Sequence, residues 1–239
     1  MTLAEFIGCA SLAFGAPFFM FIFSISHDPI RIIILIAAAF FWLLALLLSS
    51  LIWFAVVPLR SYLAFGLVFS VIFQEVFRFV IYKILRKTEK GLQEVADNVR
   101  VTENKHILAY VSGLGFGVIS GAFAIINILA DAVGPATMGL ISGSENFFLT
   151  SAAQTLCMIL LHTFWSVIFF NALDTRKNTH IAYVVLSHLF VSCLTLLNRR
   201  ELYWATLLPN YAILAITAAI AFRVAGGSLL SLRRFITCK

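Results

Sequence analysis

Charge is scarce in this sequence: 12% of its 239 residues are Asp, Glu, Lys or Arg, against 62% that are hydrophobic. Soluble domains carry roughly 45–50% apolar and about 25% charged residues, so a water-soluble globule is excluded at the outset. Cysteine is equally thin. The four are scattered, with Cys9, Cys157 and Cys193 inside apolar runs and Cys238 at the tail, which leaves neither a disulfide framework nor a CxxC metal site. No Asn-x-Ser/Thr triplet occurs, and with it goes any acceptor for N-glycans. HExxH, a Walker loop, a nucleophile elbow and a glycine-rich dinucleotide turn are also missing. Nor do the apolar runs carry the Asp residues of an aspartyl intramembrane protease: Asp131 stands at a run's exit, and Asp28 and Asp174 fall between runs. The N-terminus lacks a basic leader and has Glu5 instead, so the first run is expected to stay as a span rather than be removed as a signal peptide.

Long apolar stretches fill the space those absences leave. A helix crossing about 30 Å of hydrocarbon needs roughly 20 mostly apolar residues. Seven stretches qualify: Phe6–Ser26, Ile32–Val57, Ser61–Leu85, Ile107–Val133, Phe147–Leu173, Ile181–Leu197 and Trp204–Gly227. Their length and lack of alternation predict helices rather than barrel strands, which need only about 10 alternating residues. His27-Asp28-Pro29, Pro58 with Arg60, Gly134-Pro135 and Asn198–Glu201 break them. The predicted fold is an all-α polytopic membrane protein, one bundle of seven transmembrane helices over residues 1–239, with a polar connecting loop at about 87–105.

The net charge of +6 does not point to nucleic acid, because the basic residues are not spread as a binding stripe. Counted on alternate sides of the spans, thirteen lie on the side of the C-terminus and of the Lys83–Lys105 segment and three on the other, with Arg78 inside a span completing the seventeen. Positive-inside bias then places the C-terminus and that loop in the cytosol and the N-terminus on the lumenal or extracellular side. Anionic lipid headgroups suit the same residues.

Two features carry chemistry. Gly113, Gly117 and Gly121 recur every four residues in the fourth span, preceded in register by Ala109. On a helix of 3.6 residues per turn they drift only about 40° per step and form one shallow groove where a second backbone can lie. Its occupant is left open between another helix of this chain and a partner. The second feature is polar residues inside spans: Gln74, Glu75 and Arg78 in the third, His162 in the fifth and His188 in the sixth. A central Arg or Asp costs on the order of 2.5–3.5 kcal/mol on insertion scales, so each demands a partner or a wet cavity. Glu75 and Arg78, three apart, can pair. Asn127 and Asp131 suit capping of the fourth span. A sharper alternative is a membrane-embedded metal-dependent protease in which Glu75, His162 and His188 hold a divalent ion and activate water. Gln74-Glu75-Val76-Phe77-Arg78 is like a Glu-Glu-x-x-x-Arg protease motif, but Gln replaces the carboxylate that would act as base. A hydrogen-bonded cluster that orients helices, with no metal and no cofactor, is the preferred reading.

Several segments together are more specific: Asp28-Pro29-Ile30-Arg31, Ala39-Phe40-Phe41-Trp42-Leu43, Gln74-Glu75-Val76-Phe77-Arg78-Phe79, Ala109-Tyr110-Val111-Ser112-Gly113-Leu114-Gly115-Phe116-Gly117, Ile128-Leu129-Ala130-Asp131, Leu161-His162-Thr163-Phe164-Trp165 and Ala225-Gly226-Gly227-Ser228. In this order, across nearly the whole chain, they resemble the anterior-pharynx-defective (Aph) family of γ-secretase subunits. The resemblance implies a non-catalytic subunit that joins nicastrin and scaffolds presenilin and the presenilin enhancer protein, presenilin supplying the catalytic aspartates. It further implies that Gly113, Gly117 and Gly121 form an assembly surface and that His162 and His188 are needed for assembly with presenilin. Substrates of the assembled protease would be type I membrane proteins such as Notch and the amyloid precursor protein. Endoplasmic reticulum, Golgi, plasma membrane and endosomal membranes are the compartments it implies.

Overall fold

A computed structural model describes residues 3–59, 62–95, 105–133, 146–200 and 202–228. Its long helices are α1 (Leu3–Ser24), α2 (Pro29–Ala55), α3 (Leu63–Val95), α4 (Lys105–Val133), α5 (Asn146–Thr175), α6 (Asn178–Leu194) and α7 (Tyr203–Val224). Short 3-10 turns follow α2 at Val57–Leu59 and α6 at Thr195–Arg200, and no strand occurs among the described residues. All seven helices contain stretches long and apolar enough to cross a membrane. The protein is an integral membrane bundle.

Local chemistry sets the helix ends. Asp28 caps α2 by accepting from Ile30 N–H at 2.9 Å, with Pro29 at the first helical position, where its missing N–H costs nothing. Arg31 reaches back to donate to Ser24 O at 2.5 Å and stands 3.5 Å from Asp28 Oδ2, tying the end of α1 to the start of α2. At the end of α5, Arg176 adopts φ 56°, which lets Lys177 N–H reach Ala172 O at 2.9 Å. Gly226, at φ 89°, lets Gly227 N–H close the end of α7 on Phe222 O at 2.8 Å in the same way.

Two boundaries differ from the sequence reading. Helix α3 continues to Val95, so the polar segment assigned to a loop from about 87 begins as helix. Charge and polarity there do not oppose helix: Arg86 and Glu89 face each other one turn apart, and Thr88 Oγ1 donates to Ile84 O at 2.9 Å. Helix α6 starts at Asn178, before the expected Ile181, and its last turn tightens into the 3-10 segment. The expected capping by Asn127 and Asp131 falls on side chains outside the described residues, as does Cys238.

The centre of the bundle is α5. It packs most extensively against α4 and also touches α1, α6 and α7, while α2 lies between α3 and α4. Trp165, Phe170, Ile159, Leu161 and Ile168 of α5 are buried with Leu108, Leu114 and Phe116 of α4. Large apolar side chains also face outward on other helices, among them Phe18 and Phe23 of α1, Phe40 and Phe54 of α2 and Trp204 of α7. Apolar on the outside and polar at selected points within is the arrangement lipid demands.

Candidate functional site

Inside the bundle, α3 brings Glu75 and Arg78 to the face that meets α5 and α6. Arg78 is 0% exposed. Its Nε donates to Glu75 Oε2 at 3.1 Å, Nη1 donates to His162 O at 3.1 Å and to Ser166 Oγ, and Nη2 donates to His162 Nδ1 at 2.9 Å. The other carboxylate oxygen, Glu75 Oε1, faces His188 Nδ1 at 2.7 Å, across from α6. Guanidinium has donors only, so His162 Nδ1 is the acceptor in its bond. One carboxylate and one guanidinium of α3 thus reach two histidines, a serine and a backbone carbonyl on two other helices.

Aromatic rings close the cluster. His162 and His188 meet edge to face with centroids 4.9 Å apart, and Trp165 lies tilted against His188 at 4.6 Å. Phe116 of α4 sits with its centroid 5.3 Å from the Arg78 carbon, a cation–π contact. Gln74 turns away from this group: its Oε1 accepts from Trp42 Nε1 of α2 at 3.1 Å, and its Nε2 donates to Ser70 Oγ at 3.0 Å. The five polar residues singled out in the sequence are therefore neighbours, but Gln74 joins α3 to α2 while the other four join α3 to α5 and α6.

As a metal site the donor set fits poorly. Each Glu75 oxygen already has a hydrogen-bond partner, and the guanidinium stands between the carboxylate and His162, where a divalent cation would have to sit. Among the described residues no three His, Cys, Asp or Glu side chains gather as a metal cluster.

The glycine groove runs along the neighbouring helix pair. A Cβ on Gly113 would lie 2.7 Å from Ser166 Cβ and 2.8 Å from Thr163 Cα, and one on Gly117 would lie 2.5 Å from Ile159 O. At Gly121 the nearest atom is the tip of the Ile159 side chain, at 2.6 Å. The groove's occupant is α5 of the same chain. Sequence reasoning missed Gly115, which points the other way and admits Leu35 O and Ala38 of α2. The signal was available, since two positions along a helix turn about 200° and put Gly115 opposite Gly113 and Gly117.

Ser166, Trp42 and Trp165 were missed as well, along with a second polar contact at the end of α3. There Arg86 Nε donates to Asp174 Oδ1 at 3.0 Å and Nη2 to Oδ2 at 2.5 Å, while Tyr82 O–H donates to the same carboxylate at 2.9 Å. Glu75 and Arg78, by contrast, had an i,i+3 spacing that announced their pairing.

A family model described as "Aph-1 protein" matches residues 4–228. The chain is 66% identical to "Gamma-secretase subunit Aph-1" of Drosophila melanogaster, with all of both chains covered. It is 46% identical to "Gamma-secretase subunit Aph-1b" of Danio rerio, covering 100% of this chain and 95% of that one. With "Gamma-secretase subunit APH1-like" of Arabidopsis thaliana it shares 32% identity over 83% of each chain.

Proposed function

The chain belongs to the Aph-1 family, and from that premise we propose that it is a non-catalytic subunit of γ-secretase, a scaffold that holds presenilin, nicastrin and the presenilin enhancer protein together. The observation that carries the reading is the closed polar cluster. Glu75, Arg78, His162 and His188 hydrogen-bond to one another across three helices, which fixes helix positions and supports a structural role for the cluster. In this reading the aspartates that cleave type I membrane proteins, Notch and the amyloid precursor protein among them, belong to presenilin. His162, His188 and the Gly113–Gly121 stripe support assembly by giving the bundle the shape its partners meet.

The N-terminus lies on the lumenal or extracellular side and the C-terminus in the cytosol, following the distribution of basic residues. The subunit works in the endoplasmic reticulum, Golgi, plasma membrane and endosomal membranes. Affinity purification of the tagged chain from mild detergent tests the proposal. Presenilin and nicastrin should co-purify with it, and removing the chain from cells should abolish cleavage of Notch. Recovery of the chain without either protein, from membranes that contain both, would overturn the assignment.

A further inference from the structure

Positive charge gathers where α3 leaves the membrane. Within Lys83–Glu89 and Asp174–Lys177 stand five Lys or Arg residues and two acids, and Arg86 takes both acids: its Nη2 reaches Asp174 Oδ2 at 2.5 Å and its Nη1 stands 3.9 Å from Glu89 Oε2. Lys83, Lys87, Arg176 and Lys177 are exposed, and none of the four forms an ion pair among the described residues. Helix α6 starts beside this end of α3. Asp174 brings the end of α5 to Arg86, and the bond between Glu75 and His188 sets the level of α6. From Glu75 to Arg86 and from His188 back to Asn178 the two helices run about 16 and 15 Å at 1.5 Å per residue, so their ends coincide. Two donors beneath the surface are unused. Arg86 Nη1 and His180 Nδ1 are buried, and neither has a hydrogen-bond partner among the described residues; the imidazole nitrogen donates in one of its tautomers.

An apolar strip leads into the patch. Ile72, Val76 and Phe79 are exposed at four- and three-residue spacing along one face of α3, and Lys83 and Lys87 continue that face at spacings of four. A ligand with hydrocarbon chains along the strip and an anionic head on the cations matches both halves, whereas a soluble acidic peptide matches the head alone. The head needs high charge and several acceptors. A phosphomonoester supplies about −1.5 to −2 charges at neutral pH and three acceptor oxygens, more than the single net charge of a phosphatidylserine head. Basic clusters at the cytosolic ends of membrane helices hold such lipids. We propose that Lys83, Lys87, Arg176 and Lys177 form a binding site for a phospholipid whose headgroup bears phosphomonoesters, with Arg86 and His180 as donors beneath it. The site rests on the orientation proposed above only for which leaflet supplies the lipid.

Titration of the full chain in phosphatidylcholine nanodiscs with short-chain phosphatidylinositol bisphosphate, followed by microscale thermophoresis, tests the site. Nanodiscs leave both faces open, so the result does not depend on orientation, which protease digestion of tagged microsomes tests separately. Binding should saturate. Lys87→Gln together with Lys177→Gln should weaken it roughly tenfold or more, since each basic residue near an anionic headgroup is worth about fivefold in affinity. Lys105→Gln together with Arg223→Gln removes the same charge from exposed positions on α4 and α7. That pair should change affinity by less than about threefold, because charges beyond a Debye length are screened. Equal losses from the two pairs would reduce the effect to net charge and overturn the site, as would binding that never saturates. Phosphatidylserine bound as tightly as the bisphosphate lipid would remove the phosphomonoester from the proposal. Inositol trisphosphate, which has the head and no chains, should bind more weakly than the lipid; equal affinity would overturn the assignment to a membrane lipid.

Discussion

Arg78 holds four acceptors with one planar fork, and that geometry decides what can replace it. Lysine keeps the charge but offers three donors on a flexible stem and cannot span Glu75, His162 and Ser166 together. Breaking a buried pair by removing one partner costs about 3–5 kcal/mol. Arg78→Lys should therefore lower recovery of folded subunit nearly as far as Arg78→Ala, measured by size-exclusion of the detergent-solubilised chain. His162 gives a finer test. Its Nδ1 accepts from Arg78 at 2.9 Å, and the Oδ1 of asparagine stands close to that position whereas the amide of glutamine reaches further. His162→Asn should retain more assembled complex than His162→Gln or His162→Ala, with a difference near 1 kcal/mol, the scale of hydrogen bonds inside membranes. Equal losses for all three would remove the acceptor role. Much of this cluster was legible in the sequence because a charged residue inside an apolar run is conspicuous. Ser166 was not, since a hydroxyl in a membrane helix normally satisfies itself on its own backbone, as Thr163 does on Ile159 O at 2.9 Å.

Along α4 the glycines differ in what a methyl group would strike. At Gly113 and Gly117 it would meet backbone atoms of α5, which cannot turn aside, while at Gly121 it would meet the movable end of Ile159. Overpacking of this kind costs about 1–3 kcal/mol. Gly117→Ala should lower the thermal midpoint of the free subunit more than Gly121→Ala does, by light scattering or tryptophan fluorescence; the reverse order would contradict the packing. Gly113 has a further consequence. It presses against Thr163 and Ser166, the same turn of α5 whose other side Arg78 grips through His162 and Ser166. Gly113→Ala and Ser166→Ala should thus be non-additive in stability, as for any pair sharing one backbone segment. Spacing alone made the groove visible and could not name its occupant. In lipid, apolar side chains suit every face of a helix, so hydrophobic pattern loses the power to say which face meets protein.

For the bundle as a whole, hydropathy located all seven helices, and the errors fall at their ends. It failed past Leu85 because Arg86, Lys87 and Glu89 look like the start of a loop, whereas helices continue readily into water when one-turn charge pairs support them. Orientation is testable at this scale. With basic residues concentrated on the C-terminal side, a C-terminal tag should be digested by protease added to intact microsomes and an N-terminal tag should be protected until detergent is added. The opposite pattern would invert the proposed topology. The long-range character of the polar cluster also sets a clock. Glu75 and Arg78 leave the ribosome together and can pair at once, but His162 follows Arg78 by 84 residues and His188 follows Glu75 by 113. At roughly 5–20 residues per second, the guanidinium waits about 4–17 seconds for α5 to arrive. During that interval α3 holds a half-satisfied charge pair in or beside the membrane, and a nascent chain that stalls before α5 presents it to whatever surveys unfinished membrane proteins.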